Sequence, residues 1–262
     1  MYYPIQAPYI LDKAFSRHVS YTEEIPEYLQ DFVICFWELI RPPWETAVTT
    51  VLAADGCINL ALHYDKKNIG YTGMSKTDFN FTIHLPGRFR GVRLKPGAFE
   101  QLTGLPAILA MNRLLHIQTV DANFDAEHFF SLPFAQTKTY LTEYIVRLTK
   151  DKTPNRFVTL FDELSNKPPS TTAELYDMLH FSPRQCQRLF QKHYGMTPQM
   201  ALSILRFQYC LHVISSNKAK PKDVLEVAAY YDQSHFINDF KKSIGLTPLE
   251  YLQNTKDVAY LQ

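Results

Sequence analysis

The chain matches itself at an offset of 50 residues. Phe190, Lys192, Gly195, Thr197, Pro198 and Leu202 recur as Phe240, Lys242, Gly245, Thr247, Pro248 and Leu252, and Leu175 falls on Leu225. A match at fixed period means one supersecondary unit built twice. Each copy reads as a short helix, a tight turn, a second helix ending at Gly, and a third helix opened by Thr-Pro. Glycine supplies the left-handed C-cap, threonine the N-cap, and proline a first helical residue that needs no N–H. Thr171 with Glu174, Ser182 with Gln185, and Thr247 with Glu250 all have capping-box spacing. The expectation is a helix-turn-helix with its supporting helix, present twice.

Two such units joined by one helix suit a periodic partner. The 19 residues of 198–216 would span about 28 Å, near the roughly 34 Å between major grooves on one face of DNA. In the first unit Cys186, Leu189 and Phe190 fall inward, leaving Arg184, Gln185, Gln187, Arg188 and Gln191 outward. Arginine matches guanine O6/N7 and glutamine matches adenine N6/N7, so this face has donors for base edges. In the second unit Phe236, Phe240 and Ile244 are core. Gln233, Ser234, His235, Asn238, Lys241 and Lys242 are then outward. Lys192, Lys241 and Lys242 are placed for phosphates rather than bases. A helical bundle with merely solvated polar faces is the competing reading, and the repeat weighs against it.

These residues carry a family resemblance. Ser182-Pro183-Arg184-Gln185-Cys186-Gln187-Arg188-Leu189-Phe190, Gly195-Met196-Thr197-Pro198, Asp232-Gln233-Ser234-His235-Phe236 and Phe240-Lys241-Lys242 with Gly245-Leu246-Thr247-Pro248 resemble the tandem helix-turn-helix of the AraC family of transcription regulators. The resemblance spans about 90 residues. It implies base contacts from Arg184, Gln187 and Arg188 in one recognition helix and from Gln233, Ser234, His235 and Asn238 in the other; Gln191 joins them by its place on the outward face. It departs from the family at Ala229, where a turn glycine is usual, at Asn238, where arginine is common, and at Cys210, usually alanine.

The first hundred residues read as strands. Residues 79–85 (FNFTIHL) alternate apolar and polar, as do Ile58, Leu60, Leu62 and Tyr64 with Cys57, Asn59, Ala61 and His63, and Val92 and Leu94 with Arg93 and Lys95. Turn-forming residues separate these runs, so a small antiparallel barrel or sandwich is expected. Helices follow. Tyr140, Leu141, Tyr144, Ile145 and Leu148 share one face, and Phe157, Leu160, Phe161 and Leu164 another, with Thr153-Pro154 as its expected start. Residues 165–170 (SNKPPS) cannot continue a helix and read as a linker. The fold class is thus α+β with two domains. Residues 1–165 would form a β-rich effector-sensing or dimerisation domain with C-terminal helices, and 166–262 an all-α DNA-binding domain. The segments 52–60 (LAADGCINL) and 91–98 (GVRLKPGA) resemble the N-terminal region of one AraC-type subgroup, in which a cupin-like sensor is usual.

Composition narrows the rest. With 46% hydrophobic and 14% aromatic residues, the chain has the apolar surface a disordered chain lacks. The net charge of +1 divides into −2 up to residue 164 and +3 beyond, which permits a polyanionic partner without demanding one. Residues 32–40 are the longest apolar run, far short of the roughly 20 needed to span a bilayer, and the first residues lack a signal-peptide pattern. A cytoplasmic protein is expected. Cys35, Cys57, Cys186 and Cys210 form no close pair and read as buried thiols. No catalytic or metal motif is found, so neither an enzyme nor a cofactor is expected. His63, Asn59, His84 and Arg93 are read as solvent-facing on the polar side of their strands, Arg93 alone being a candidate anchor for an anionic effector. The partners expected are double-stranded DNA, a small-molecule effector or a second copy of the chain, and RNA polymerase if the protein activates. The alternative is a β-barrel small-molecule-binding protein or enzyme whose helical domain binds protein.

Overall fold

The computed structural model describes residues 1–6, 17–43, 47–73, 80–83, 86–215 and 233–255. The described residues of the N-terminal half form eight strands: β1 (Ser20–Glu24), β2 (Val33–Arg41), β3 (Val48–Val51), β4 (Ile58–His63), β5 (Asn68–Thr72), β6 (Asn80–Ile83), β7 (Gly87–Leu94) and β8 (Leu114–His116). Six of them form a sheet in the order β1-β2-β7-β4-β5-β8, and β3 pairs with β6 in a separate ribbon. Every pairing is antiparallel. The antiparallel N-terminal half is as expected, but its described sheet is open rather than closed into a barrel. Of the expected strand at 79–85, residues 80–83 form β6; Phe79, His84 and Leu85 lie outside the described residues.

Alternation along the strands gives the sheet two buried faces. Phe36, Ile58, Leu60, Leu62, Ile69, Tyr71, Val92 and Leu94 enter a first core. It is covered by the helices α1 (Ala98–Thr103), α2 (Ile117–Val120), α3 (Ala126–Ser131) and α4 (Phe134–Thr149). Leu141, Tyr144 and Ile145 of α4 lie in that core, as their spacing required.

Helix α5 (Arg156–Leu164) starts later than Thr153-Pro154 suggested. Its N-cap is Asn155, whose side chain accepts from the N–H groups of Phe157 and Val158. The reason is a long-range clamp: Gln101 Nε2 donates to the Thr153 carbonyl at 2.7 Å, and the Asn155 N–H donates to Gln101 Oε1 at 2.9 Å. The chain before the helix is thereby held out of helical conformation for two further residues.

Among the described residues five helices follow: α6 (Thr172–Leu179), α7 (Pro183–Tyr194), α8 (Pro198–Ser215), α9 (Gln233–Ile244) and α10 (Pro248–Thr255). A second core joins the first three of them to the sheet. In it Leu160, Phe161 and Leu164 of α5 meet Ile34, Cys35 and Cys57 from the sheet side and Leu175, Leu179, Cys186, Phe190 and Tyr194 from α6 and α7. A third core gathers Phe207, Cys210, Leu211 and Ile214 of α8 with Phe236, Phe240, Ile244 and Tyr251 and touches the N-terminal half at Ala53. All four cysteines are buried free thiols, and burial pushes Cys35 and Cys210 up to about 12.

Candidate nucleic-acid interface

Helix α7 is fixed at both ends by local chemistry. Ser182 Oγ accepts from the Gln185 N–H, and Gln185 Oε1 accepts from the Ser182 N–H at 2.9 Å, which closes the capping box. At the other end Gly195 takes φ +71° and returns its N–H to the Gln191 carbonyl at 3.1 Å. Between the caps Cys186 and Phe190 are buried and Leu189 half-buried, while Arg184, Gln187, Arg188 and Gln191 are exposed. The positions 184, 187, 188 and 191 share one face of a helix. Among the described residues none of these four side chains is held in an ion pair. Gln185 is also exposed, but the cap occupies its carbonyl oxygen.

Helix α9 has the matching division. Phe236, Phe240 and Ile244 are buried; Ser234, Asn238, Lys241 and Lys242 are exposed. The side chains of Gln233 and His235, and Ala229, lie outside the described residues. Thr247 and Glu250 form the second capping box, the Thr247 N–H reaching Glu250 Oε2 at 2.7 Å.

The C-terminal end of α7 is not equivalent to that of α9. Lys192 Nζ lies 3.0 Å from Glu100 Oε1 and His193 Nδ1 lies 2.8 Å from Glu100 Oε2. Glu100 belongs to α1, on the sheet side of the molecule. The His193 ring is stacked on Phe157 at 3.8 Å, and Tyr194 OH donates to the Phe157 carbonyl at 2.7 Å. Burial lowers the His193 pKa, against the opposing pull of Glu100. The sequence pointed to neither Glu100 nor His193 here, because the two are far apart in the chain and no motif links them.

Arg93 is not solvent-facing. It is buried, and its guanidinium meets Glu23 Oε1 at 2.9 Å, Tyr21 OH at 3.0 Å and Asp55 Oδ2 at 3.5 Å. Burial raises the Asp55 carboxyl, with Arg93 opposing. Burial also pushes Glu23 up, but Arg93 and the hydroxyls of Tyr21 and Tyr3 hold it below its ordinary value. Two protein carboxylates thus occupy the groups an anionic effector would need. Asn59 is half-buried and accepts from Trp37 Nε1 at 3.0 Å, and His63 is stacked on Phe89. A cleft of about 170 Å³ lies elsewhere, lined by Thr22, Glu24, Phe36, Trp37, Glu38, Arg90 and Lys138. Among the described residues no group of three His, Cys, Asp or Glu side chains could hold a metal, and no helix is long and apolar enough to cross a membrane.

Comparison with known proteins bears on this geometry. The family described as "Helix-turn-helix domain" (HTH_18) matches residues 175–254, the span of both punctuated units. Residues 175–254 are thus similar to a helix-turn-helix domain family. Residues 26–116 match a domain of unknown function, DUF6597. The HTH-type transcriptional regulator YtdP of Bacillus subtilis (strain 168) is 27% identical over 88 residues, which is 34% of this chain and 11% of that protein. ToxT from Vibrio cholerae O395 is 11% identical with a TM-score of 0.40, over 92% of this chain and 98% of that one. ToxT bound to (E)-4-(8-methylnaphthalen-1-yl)but-3-enoic acid gives the same identity and score over 90% and 97%. A likeness at this level fixes neither a fold nor a ligand.

Within this helix-turn-helix domain the two cap glycines have different surroundings. A Cβ on Gly195 would sit 2.6 Å from Met111 Cγ and 3.1 Å from the Ala107 carbonyl carbon, whereas one on Gly245 would meet nothing within 4 Å among the described residues. Both have positive φ, which costs an alanine about 1–2 kcal/mol. Gly245→Ala should therefore destabilise by about that amount, and Gly195→Ala by about 1–3 kcal/mol more, through overpacking against the N-terminal half. Urea unfolding of the two variants measures the difference; equal losses would mean that Met111 moves aside freely.

Proposed function

We propose that the chain is a sequence-specific DNA-binding transcription regulator, not an enzyme, working in the cytoplasm. Two units meet near residue 165, and α7 and α9 enter successive major grooves. Arg184, Gln187, Arg188, Gln191, Gln233, Ser234, His235 and Asn238 address base edges, and Lys192, Lys241 and Lys242 address phosphates. The observation that carries this reading is the exposed 184–187–188–191 stripe on a doubly capped helix inside a matched helix-turn-helix domain. The 18 residues of α8 span about 27 Å, a length suited to bridging neighbouring grooves. Control falls to the N-terminal half, through a small molecule or the pairing of two copies, with RNA polymerase as a further partner where the protein activates. A ligand acts there only by favouring one arrangement of the two halves over another.

Selection of bound duplexes from a random pool by the full-length chain tests the proposal. The expected result is a site covering about two groove turns, with affinity falling steeply as salt rises. Failure to retard any duplex at low salt would transfer support to a helical domain that binds protein.

A further inference from the structure

We propose that Glu100 gates the DNA-facing surface from the N-terminal half by holding Lys192 away from the phosphate backbone. The inference rests on the DNA-binding reading and specifies how that surface is regulated. Lys192 is the residue next after Gln191 on α7, and its side chain is 49% exposed although its ammonium is paired with Glu100. It can therefore reach either the carboxylate or a phosphate, but one ammonium does not fully serve both. The Glu100 side chain is only 10% exposed. Leaving its carboxylate with His193 alone is costly, since a buried charge needs its partners. A negative charge at the end of the recognition helix also repels the approaching polyanion.

The repeat supplies an internal control. Lys242 occupies the same place in the second copy, is exposed, and has no ion pair among the described residues. Glu100 lies on α1, which follows β7 directly and packs against α7. Any change in the N-terminal half that parts α1 from α7 releases Lys192. By reciprocity, DNA that captures Lys192 favours the parted arrangement.

Fluorescence anisotropy of the full-length chain on a labelled mixed-sequence duplex, over a salt series, tests the gate. Glu100→Gln keeps the shape and removes the charge. It should bind severalfold more tightly, with the slope of log affinity against log salt steeper by about one, as for one added phosphate contact. Lys192→Met should weaken the wild-type background by less than Lys242→Met does, and should cancel the gain in Glu100→Gln. Lys242→Met should weaken both backgrounds alike. Unchanged affinity and slope in a folded Glu100→Gln variant would overturn the inference. If that variant fails to fold, Lys192→Met and Lys242→Met decide: a small loss for the first beside a clear loss for the second supports the gate, and equal losses overturn it. Wild-type protein that binds no duplex removes the DNA-binding reading itself, and the gate with it.

Discussion

Arg93→Met is expected to lower the free energy of unfolding by about 3–5 kcal/mol, the range for removing one partner of a buried ion pair. Methionine keeps most of the apolar stem, so the loss reports on charge rather than volume. Without the guanidinium, the partly buried Glu23 and the buried Asp55 carboxylates are left to repel each other. Asp55 keeps the Cys57 N–H at 2.9 Å and its hydrogen bond from Gln6, which do not neutralise it. Its folded-state pKa, already raised by burial, should rise further. The native variant then binds a proton that the unfolded chain releases, so its stability falls as pH rises from about 4 towards neutrality. The gap between wild type and Arg93→Met should be smaller near pH 4 than at pH 7. Urea denaturation at both values measures it, and a gap under about 1 kcal/mol, or one independent of pH, would mean that water reaches the site and screens it.

Arg188→Ala carries the second large effect. An arginine that reads a base edge is worth about 1–3 kcal/mol of discrimination, or roughly a fivefold to 150-fold loss on the preferred site. The loss should be concentrated at one base position, with little change on unrelated duplexes. Lys241→Ala should behave oppositely: a uniform loss on every duplex and a salt slope shallower by about one. Should Arg188→Ala weaken all duplexes equally, Arg188 contacts phosphate and the base-reading face must be redrawn around Arg184 and Gln187.

The contrast between these two arginines shows what the sequence discloses. Arg188 was legible because everything that presents it is local: a capping box over three residues, a first-turn proline, a left-handed glycine, and apolar residues at helical spacing. The same holds for Leu141, Tyr144 and Ile145. Arg93 was misread because strand alternation marks which side a residue faces but not what covers that side. The cover comes from Glu23, Asp55 and the first residues of the chain, and no local pattern announces those pairings. Asn155 displaced Thr153 as a helix cap for a related reason, since Gln101 reaches in from more than fifty residues away. Which of the expected barrel or sandwich would form was not legible, because strand order is set by long-range register, to which the length of each run gives no clue.

The second core gives the two copies of the repeat unequal mechanical standing. The first is built into a large cooperative block with the sheet through Phe161 and Tyr194. Among its described residues the second packs around Phe240 and meets the N-terminal half at Ala53. Under mild denaturant or load the trailing copy should melt first, leaving the leading one seated. Circular dichroism and tryptophan fluorescence followed through one urea titration would show that order as two separate transitions, and a single coincident transition would mean that both copies melt together.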